Sequence, residues 1–480
     1  MILLQLLSVR RHLRRLLRGG TNRSLFIFLL VASVFLSALY SLPSAKRRTT
    51  WSSSSLSSPG ENVRATVCAS DWYTPIGARV NGSYFLLLKV PVDLTTAATD
   101  DLDRIPSVNV VKRGGLQRLL SFEDMVEIDD RLWRLPVDTE VYLLYPQSLN
   151  LSDVVRRVKS CRAVPESPLN NRPVQLLHVS STICPPEKEI HAGTGHSGRS
   201  KYDLVVIVKS AVYNFQNRQT FRSLYERLNN FSVPTAHPFR IGIIFSVGLP
   251  RRSGNQTFKR DGFYVSLPDR AGEALSDIQH THPLIHRRLK EELSQYNDLL
   301  VGDYEDTYYN LTTKMMINFQ WAARFCRTER PGFLFLDDDY GFHPANLRRF
   351  LARLEADWRE RMVIGLERTG SPTVRFGEDA RFDKWALSKH EMPAPQLPPF
   401  SAGAFYFLGY ARVEEVAIAM HFTRSLPLDD VWLGMIMTKL GLRFQYRPGI
   451  RFTLAAVSTR KRDIIMPMSA MYRSLTALHT

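Results

Sequence analysis

Phe333-Leu-Phe-Leu336 is four apolar residues long and runs straight into Asp337-Asp338-Asp339, and few arrangements satisfy both halves. A short apolar run with no polar face reads as a strand covered on both sides, as in a parallel sheet between layers of helices. The carboxyl ends of such strands are where open α/β sheets take ligands. Successive strand residues alternate faces, so Asp337 and Asp339 point the same way, and two same-side carboxylates repel unless a cation lies between them. The plain alternative is a solvated turn or helix cap before His343-Pro344.

The surrounding chain alternates accordingly from residue 201 onward. Asp203-Leu-Val-Val-Ile-Val-Lys209 is a second β-branched run, and Asn214 precedes a helical pattern with Phe221, Leu224 and Leu228 on one face and Arg218 and Arg222 on another. Arg240 to Ser246 and Asp298 to Val301 read as further strands. Asp306 is placed to cap a helix running to Cys326, with Leu311, Met315, Phe319, Ala322 and Cys326 as its stripe, and Pro344 to Trp358 reads as another helix. The alternation predicts an α/β nucleotide-type fold. Residues 63–200 differ: Tyr84 to Val90 and Thr139 to Tyr145 look like strands of a small accessory region, and 185–200, with Pro185-Pro186, three glycines and the loop histidines His191 and His196, reads as a linker.

One stretch only, Leu25 to Leu42, is apolar and charge-free for long enough to cross a bilayer, reaching about 27 Å at about 1.5 Å per residue. Six arginines precede it, three basic residues follow it, and no acid occurs before Glu61. The basic flank puts the N-terminus in the cytosol, so the chain divides into a cytosolic tail (1–23), a type II signal-anchor (24–43), a Ser-rich stem (44–62), the accessory region and linker (63–200), and the α/β domain (201–480). A cleaved signal peptide is the competing reading. The net charge of +17 loses its apparent meaning, since nine positive charges flank the span and only +8 remains elsewhere. That remainder is ordinary for a soluble domain and weak evidence for a polyanion partner such as nucleic acid, with a basic lectin-like surface as the alternative. Luminal exposure would open the sequons at Asn81, Asn150, Asn230, Asn255 and Asn310 to glycosylation, and lets Cys68, Cys161, Cys184 and Cys326 form disulfides in any of three pairings, a buried free thiol being the alternative for Cys326.

The order of motifs resembles the β-1,3-glycosyltransferases of glycosyltransferase family 31. Lys209-Ser210 with Arg218-Gln-Thr-Phe-Arg222, the segment Asp303 to Lys314, Asp337-Asp-Asp339, Lys384-Trp385, Pro398 to Phe405 and Leu428-Asp-Asp-Val-Trp-Leu-Gly434 are similar to the family's blocks in sequence order. Asp-Asp-Asp-Tyr340, Ala402-Gly-Ala-Phe405 and Asp429-Asp-Val resemble its brainiac branch most. The resemblance spans about 201–455 and implies a GT-A-type fold, a mostly parallel twisted sheet flanked by helices. It also implies a Golgi membrane enzyme that inverts the anomeric carbon, uses manganese or another divalent ion, and moves galactose or N-acetylglucosamine from a UDP-sugar in β1,3 linkage to a glycan on a glycolipid or glycoprotein.

Carried onto this sequence, the resemblance makes Asp430 the base, with Asp429 orienting acceptor or loop. Asp339 and Asp337 hold the metal, and Asp337 and Asp338 face nucleotide and sugar. Arg218, Arg222 and Lys314 become phosphate or carboxylate partners, Gly403 permits close approach of backbone, and Trp385 either stacks on a sugar or packs in the core. Three departures stand out. Gln445-Tyr446-Arg447 holds no histidine where many relatives have a metal-reaching one, Tyr225 replaces a common Trp, and Ser401 replaces a common Cys. The same aspartate triplet would also serve metal-dependent phosphoryl transfer or a luminal sugar-binding protein without turnover.

Overall fold

The computed structural model describes residues 73–75, 83–92, 107–111, 117–133, 149–186, 202–230, 239–267, 269–379, 382–451 and 463–471. The expected tail, signal-anchor and stem, the strand at Thr139 to Tyr145 and the loop histidines lie outside them. Among the described residues no helix is long and apolar enough to cross a membrane.

The strands used below are β1 (Tyr73–Pro75), β2 (Tyr84–Leu88), β3 (Val174–His178), β4 (Leu204–Lys209), β5 (Ile241–Leu249), β6 (Thr257–Arg260), β7 (Phe263–Ser266), β8 (Leu299–Glu305), β9 (Gly332–Asp337), β10 (Tyr340–Phe342), β11 (Val363–Ile364), β12 (Phe405–Leu408) and β13 (Ile465–Pro467). The helices used below are α1 (Leu151–Lys159), α2 (Phe215–Asn230), α3 (Asp269–Gln295), α4 (Leu311–Phe325), α5 (Pro344–Leu351), α6 (Trp358–Arg361), α7 (Tyr410–His421) and α8 (Asp429–Lys439). Nine strands form one sheet in the order β1-β2-β3-β8-β5-β4-β9-β12-β11. The neighbours β8, β5, β4 and β9 run parallel, whereas β1 to β3 on one flank and β12 and β11 on the other pair antiparallel. The mixed α/β class is as expected, with parallel pairing confined to the centre. Three strands from 63–200 join this sheet, so residue 200 is not an edge of it.

The two faces separate by residue parity, as a pleated strand buried on both sides must. Val205, Ile207, Phe333 and Phe335 pack with α4, α7, α8 and α1. Leu204, Val206, Val208, Leu334 and Leu336 pack with α2, α3 and α5. Cys184 is bonded to Cys326, tying the end of the segment after β3 to the end of α4, and Cys161 is disulfide-bonded too.

Four sequence expectations change. The helix expected from Pro344 to Trp358 ends at Leu351, and the chain turns so that a separate helix, α6, lays Trp358 over Gly332 and stacks it on Phe239. The long α3, with Pro283 inside it, is absent from the sequence expectation. Asn214 does not cap α2 with its side chain, and Asp306 does not cap the turn before α4, where Thr307 stands instead. Both side chains are used in the site.

Candidate active site

Five carboxylates and one buried lysine meet at the C-terminal edge of the central strands. Lys209 closes β4, an otherwise wholly buried apolar strand, and sits in register with Asp337 at the end of β9. Its ammonium, on a residue 9% exposed, lies 2.8 Å from Asp337 Oδ1 and donates to the Gly403 carbonyl at 2.6 Å. Burial would push this amine down, but Asp337, Asp429 and Asp430 hold it above its ordinary value. One charge thereby ties the aspartate triplet to the glycine loop.

The triplet divides as alternation requires. Asp338 turns to the β4–α2 loop, where its Oδ2 accepts from Ser210 Oγ at 2.7 Å and Asn214 Nδ2 at 2.9 Å. Asp337 and Asp339 repel each other, and desolvation with that repulsion, set against Lys209, pushes the Asp337 carboxyl up to about 6. Asp339 is exposed and its backbone carbonyl accepts from Met468 N at 2.8 Å, so β13, paired with β10, closes behind the triplet.

Asp429 and Asp430 open α8, where carboxylates interact favourably with the helix N-terminus. Asp430 Oδ1 accepts from Val431 N at 2.8 Å, yet desolvation first and the Asp429 charge second push its carboxyl up to about 7. Gly403 lies against it: a Cβ at 403 would stand 3.3 Å from the Asp430 Cβ and 3.5 Å from Oδ2. Gly434 plays a separate packing role, since a Cβ there would meet Phe400 and Pro399 at 2.5 Å. Burial first, then the Asp429 and Asp430 charges, raise the Tyr308 phenol, and burial with the same acids raises the Tyr406 phenol.

The basic residues singled out from sequence occupy a different layer. Arg218 is fully buried, and its guanidinium is divided among Glu292 (2.7–3.2 Å), Ser210 Oγ at 3.0 Å and the carbonyls of Ala211 and Val212. Arg222 forks onto Asp298 at 2.7 and 2.8 Å and reaches Glu292 at 2.7 Å. Lys314, 2% exposed, lies 2.9 Å from Asp306 and donates to the Ser210 carbonyl at 2.6 Å. Their partners are carboxylates, backbone carbonyls and the Ser210 hydroxyl, and Arg218 and Lys314 act on the site through the loop 210–212, whose Ser210 holds Asp338.

The departures find their own solutions. Tyr225 stacks on Phe342 and its hydroxyl both donates to and accepts from that residue's backbone at 2.6 Å, fixing β10 just after the triplet. Ser401 Oγ accepts from Leu366 N at 3.1 Å, and Cys326 has Cys184 instead. Gln445 pairs by backbone with Val363, and Tyr446 is 57% exposed. Among the described residues no group of three His, Cys, Asp or Glu side chains is placed to hold a metal by itself. Trp385 is 40% exposed, so it is not a core residue. Sequence reasoning overlooked Lys209, Tyr308 and Tyr406 as members of the site; a lysine ending an apolar strand was the signal for the first, because a buried ammonium needs an acid.

Residues 279–447 match the family model described as Galactosyltransferase. Over 239 residues the chain is 32% identical to the β-1,3-galactosyltransferase brn of Drosophila melanogaster, covering 48% of this chain and 69% of that protein. It is 30% identical over 205 residues to a lactosylceramide 1,3-N-acetyl-β-D-glucosaminyltransferase of Homo sapiens, covering 41% of this chain and 50% of that one. The chain thus spans half the length of the human relative. Among solved structures, mouse xyloside xylosyltransferase 1 aligns with 51% of this chain and 84% of its own at 13% identity, with a TM-score of 0.21. With motifs and matches in agreement, the chain belongs to the galactosyltransferase family, glycosyltransferase family 31, in its brainiac branch.

Proposed function

We propose that this protein is an inverting β-1,3-hexosyltransferase with a GT-A-type catalytic domain, held by its N-terminal segment as a type II protein of the Golgi membrane. It moves galactose or N-acetylglucosamine from a UDP-sugar to a glycan on a glycolipid or glycoprotein. The observation that carries this reading is the placement of Asp430, a carboxyl pushed up to about 7, against Gly403 and across Lys209 from Asp337.

A carboxylate poised near neutrality is a better general base than an ordinary one. Asp430 takes the proton of the acceptor hydroxyl as its oxygen attacks the anomeric carbon from the face opposite UDP, and the diphosphate leaves with the bonding pair. Asp429 keeps the neighbouring charge that raises Asp430. Asp339 and Asp337 fit a divalent ion as a two-carboxylate platform: both are hard oxygen donors, and Asp337, raised first by burial and further by the Asp339 charge, is a carboxyl that a cation would return to its ionised form. A divalent ion held by these two carboxylates would supply positive charge against the negative charge that develops on the leaving group. Asp338, fastened by Ser210 and Asn214, faces the nucleotide and sugar from the other side of the triplet.

The test is sugar transfer and UDP release by the purified full-length chain with UDP-galactose and UDP-N-acetylglucosamine in turn, with manganese and with chelator. Acceptor-stimulated turnover with one donor, lost in Asp339→Ala and Asp430→Asn, is expected. Nucleotide binding without turnover on any glycoside acceptor would overturn the assignment.

A further inference from the structure

Three of the five Asn-X-Ser/Thr sequons, at Asn150, Asn255 and Asn310, have described side chains, and the fold uses them in opposite ways. A sugar on such an asparagine needs a surface side-chain nitrogen that the fold has not already engaged. Asn150 meets that demand. It is exposed, and it caps α1 through its oxygen, Oδ1 accepting from Asp153 N at 3.0 Å. The cap uses the oxygen alone, so a sugar on Nδ2 leaves it intact. Ser152, the third residue of this sequon, is exposed on the first turn of the helix.

Asn255 repeats the arrangement ahead of the β6–β7 hairpin. It too is exposed, and its Oδ1 accepts from Thr257 N at 2.9 Å. The Thr257 hydroxyl lies at the surface, 3.0 Å from that of Ser266. Both asparagines precede the stretch matched by the family model, whereas Asn310 lies inside it.

Asn310 is built the other way round. It stands at the start of α4 without capping it. Its Nδ2 instead donates back to the Glu305 carbonyl at 2.8 Å, across the turn Tyr308–Asn310 that joins β8 to α4. Thr312 is 9% exposed, and its hydroxyl donates at 2.6 Å to the carbonyl of Leu426, three residues before Asp429. Both polar side chains of this sequon are therefore occupied, one closing the turn after β8 and the other holding the loop that leads into α8. Lys314, two residues further on, is buried against Asp306 and the Ser210 carbonyl, so the stretch has no freedom to swing outward. A sugar on Asn310 would place its first ring at the nitrogen that faces the β8 backbone, and a chain modified there does not close this connection.

We propose that the folded protein carries N-linked oligosaccharides on Asn150 and Asn255 and none on Asn310, whose sequon is spent on holding the approach to Asp429. The proposal rests on the luminal placement of the domain, where an oligosaccharide linked to a lipid diphosphate supplies the sugar. In that transfer Nδ2 bonds to the anomeric carbon and gives up one proton, and the bond from that carbon to the diphosphate oxygen breaks, its electron pair leaving with the diphosphate.

The experiment uses the full-length chain made in animal cells. Protease added outside intact microsomes establishes which side the domain faces. The purified folded protein is then treated with peptide-N-glycosidase in heavy-oxygen water, which marks each formerly modified asparagine for peptide mapping. Expected is a protected domain, marked at Asn150 and Asn255 and unmarked at Asn310, with Ser152→Ala and Thr257→Ala each losing one oligosaccharide and keeping wild-type transfer. Thr312→Ala also deletes a sequon, yet it should lose no oligosaccharide and should lower the thermal midpoint, which Thr312→Ser restores. A mark on Asn310 in the folded fraction would overturn the proposal, and so would a Thr312→Ala variant as stable as wild type. A protected domain bare at Asn150 or Asn255 sinks the proposal and leaves the luminal reading standing. A domain digested from the cytosolic side removes the luminal reading and the proposal with it.

Discussion

Two charged layers lie on either side of the loop 210–212, and they are built on opposite rules. In the inner one, Arg218, Arg222 and Lys314 meet Glu292, Asp298 and Asp306, and the charges are matched, buried at Arg218, Glu292, Lys314 and Asp306 and half-buried at Arg222 and Asp298. Burial alone would raise the Glu292 carboxyl, but Arg218 and Arg222 hold it below its ordinary value. In the outer layer five carboxylates gather around Lys209, whose amine Asp337, Asp429 and Asp430 hold above its ordinary value, and Asp337 and Asp430 are both pushed up, to about 6 and about 7. Matched charge makes a scaffold, whereas surplus charge of one sign stores a demand for protons or cations, and that demand is chemistry. The contrast separates residues of the same type that sequence alone groups together.

Asp430→Asn sharpens it most. If the surplus carboxylates do the chemistry, transfer falls by about 1,000-fold, within the usual range for removing a general base. Stability should move the other way. A carboxyl raised in the folded state contributes stability fully below its unfolded value near 4, and that contribution is lost as pH rises through about 7. The Asn variant should therefore match wild type in urea unfolding at pH 4 and exceed it by a few kcal/mol, on the order of 4, at pH 8. A variant less stable than wild type at pH 8 would make Asp430 part of the scaffold.

Arg218→Met probes the inner layer. It leaves the buried Glu292 with Arg222 as its remaining cation and should cost about 3 kcal/mol, the lower end for breaking a buried pair, while Arg218→Met with Glu292→Leu should recover part of that loss, since Arg222 keeps Asp298. Donor KM in the double variant is the discriminating number. Near-wild-type values keep Arg218 structural, and a rise of a hundredfold would mean that the guanidinium reaches the diphosphate.

The sequence carried more of the outer layer than of the inner one, for physical reasons. The triplet, Asp429-Asp430 and Gly403 are legible because each interrupts or ends a pattern: an apolar strand, a helix start, a turn. Asn214 and Asp306 precede helices, where a capping role and a ligand role have the same spelling, and only the positions of Asp338 and Lys314 distinguish them. Glu292, the centre of the inner layer, lies on α3, a helix whose Pro283 blurs its pattern. The place of β1 to β3 in the main sheet was hidden because strand neighbours are chosen by contacts far apart in sequence, such as Gly302 with Leu176.

The pH dependence offers a finer test. Activity that needs ionised Asp430 should rise about tenfold per pH unit below about 7 and level off above it. Since the Asp429 charge helps to raise its neighbour, Asp429→Asn should move that midpoint to lower pH. A midpoint that stays put would assign the rise to a different group.

Gly403→Ala has the smallest expected effect and bears most directly on the join between the layers. No left-handed backbone is required at 403, so the added methyl acts only by contact, 3.3 Å from the Asp430 Cβ, and the aspartate must yield by a few tenths of an ångström. Lys209 still holds the 403 carbonyl, so the loop itself has little freedom to retreat. The displacement therefore falls on the carboxylate, and misplacing a reacting group by a fraction of an ångström costs about tenfold in kcat. Stability should change by less than about 1 kcal/mol, because the contact is tight without being a clash. Steady-state kinetics beside a thermal melt reads both. A large fall in the midpoint with kcat intact would place Gly403 with the matched scaffold and leave Asp430 free of it.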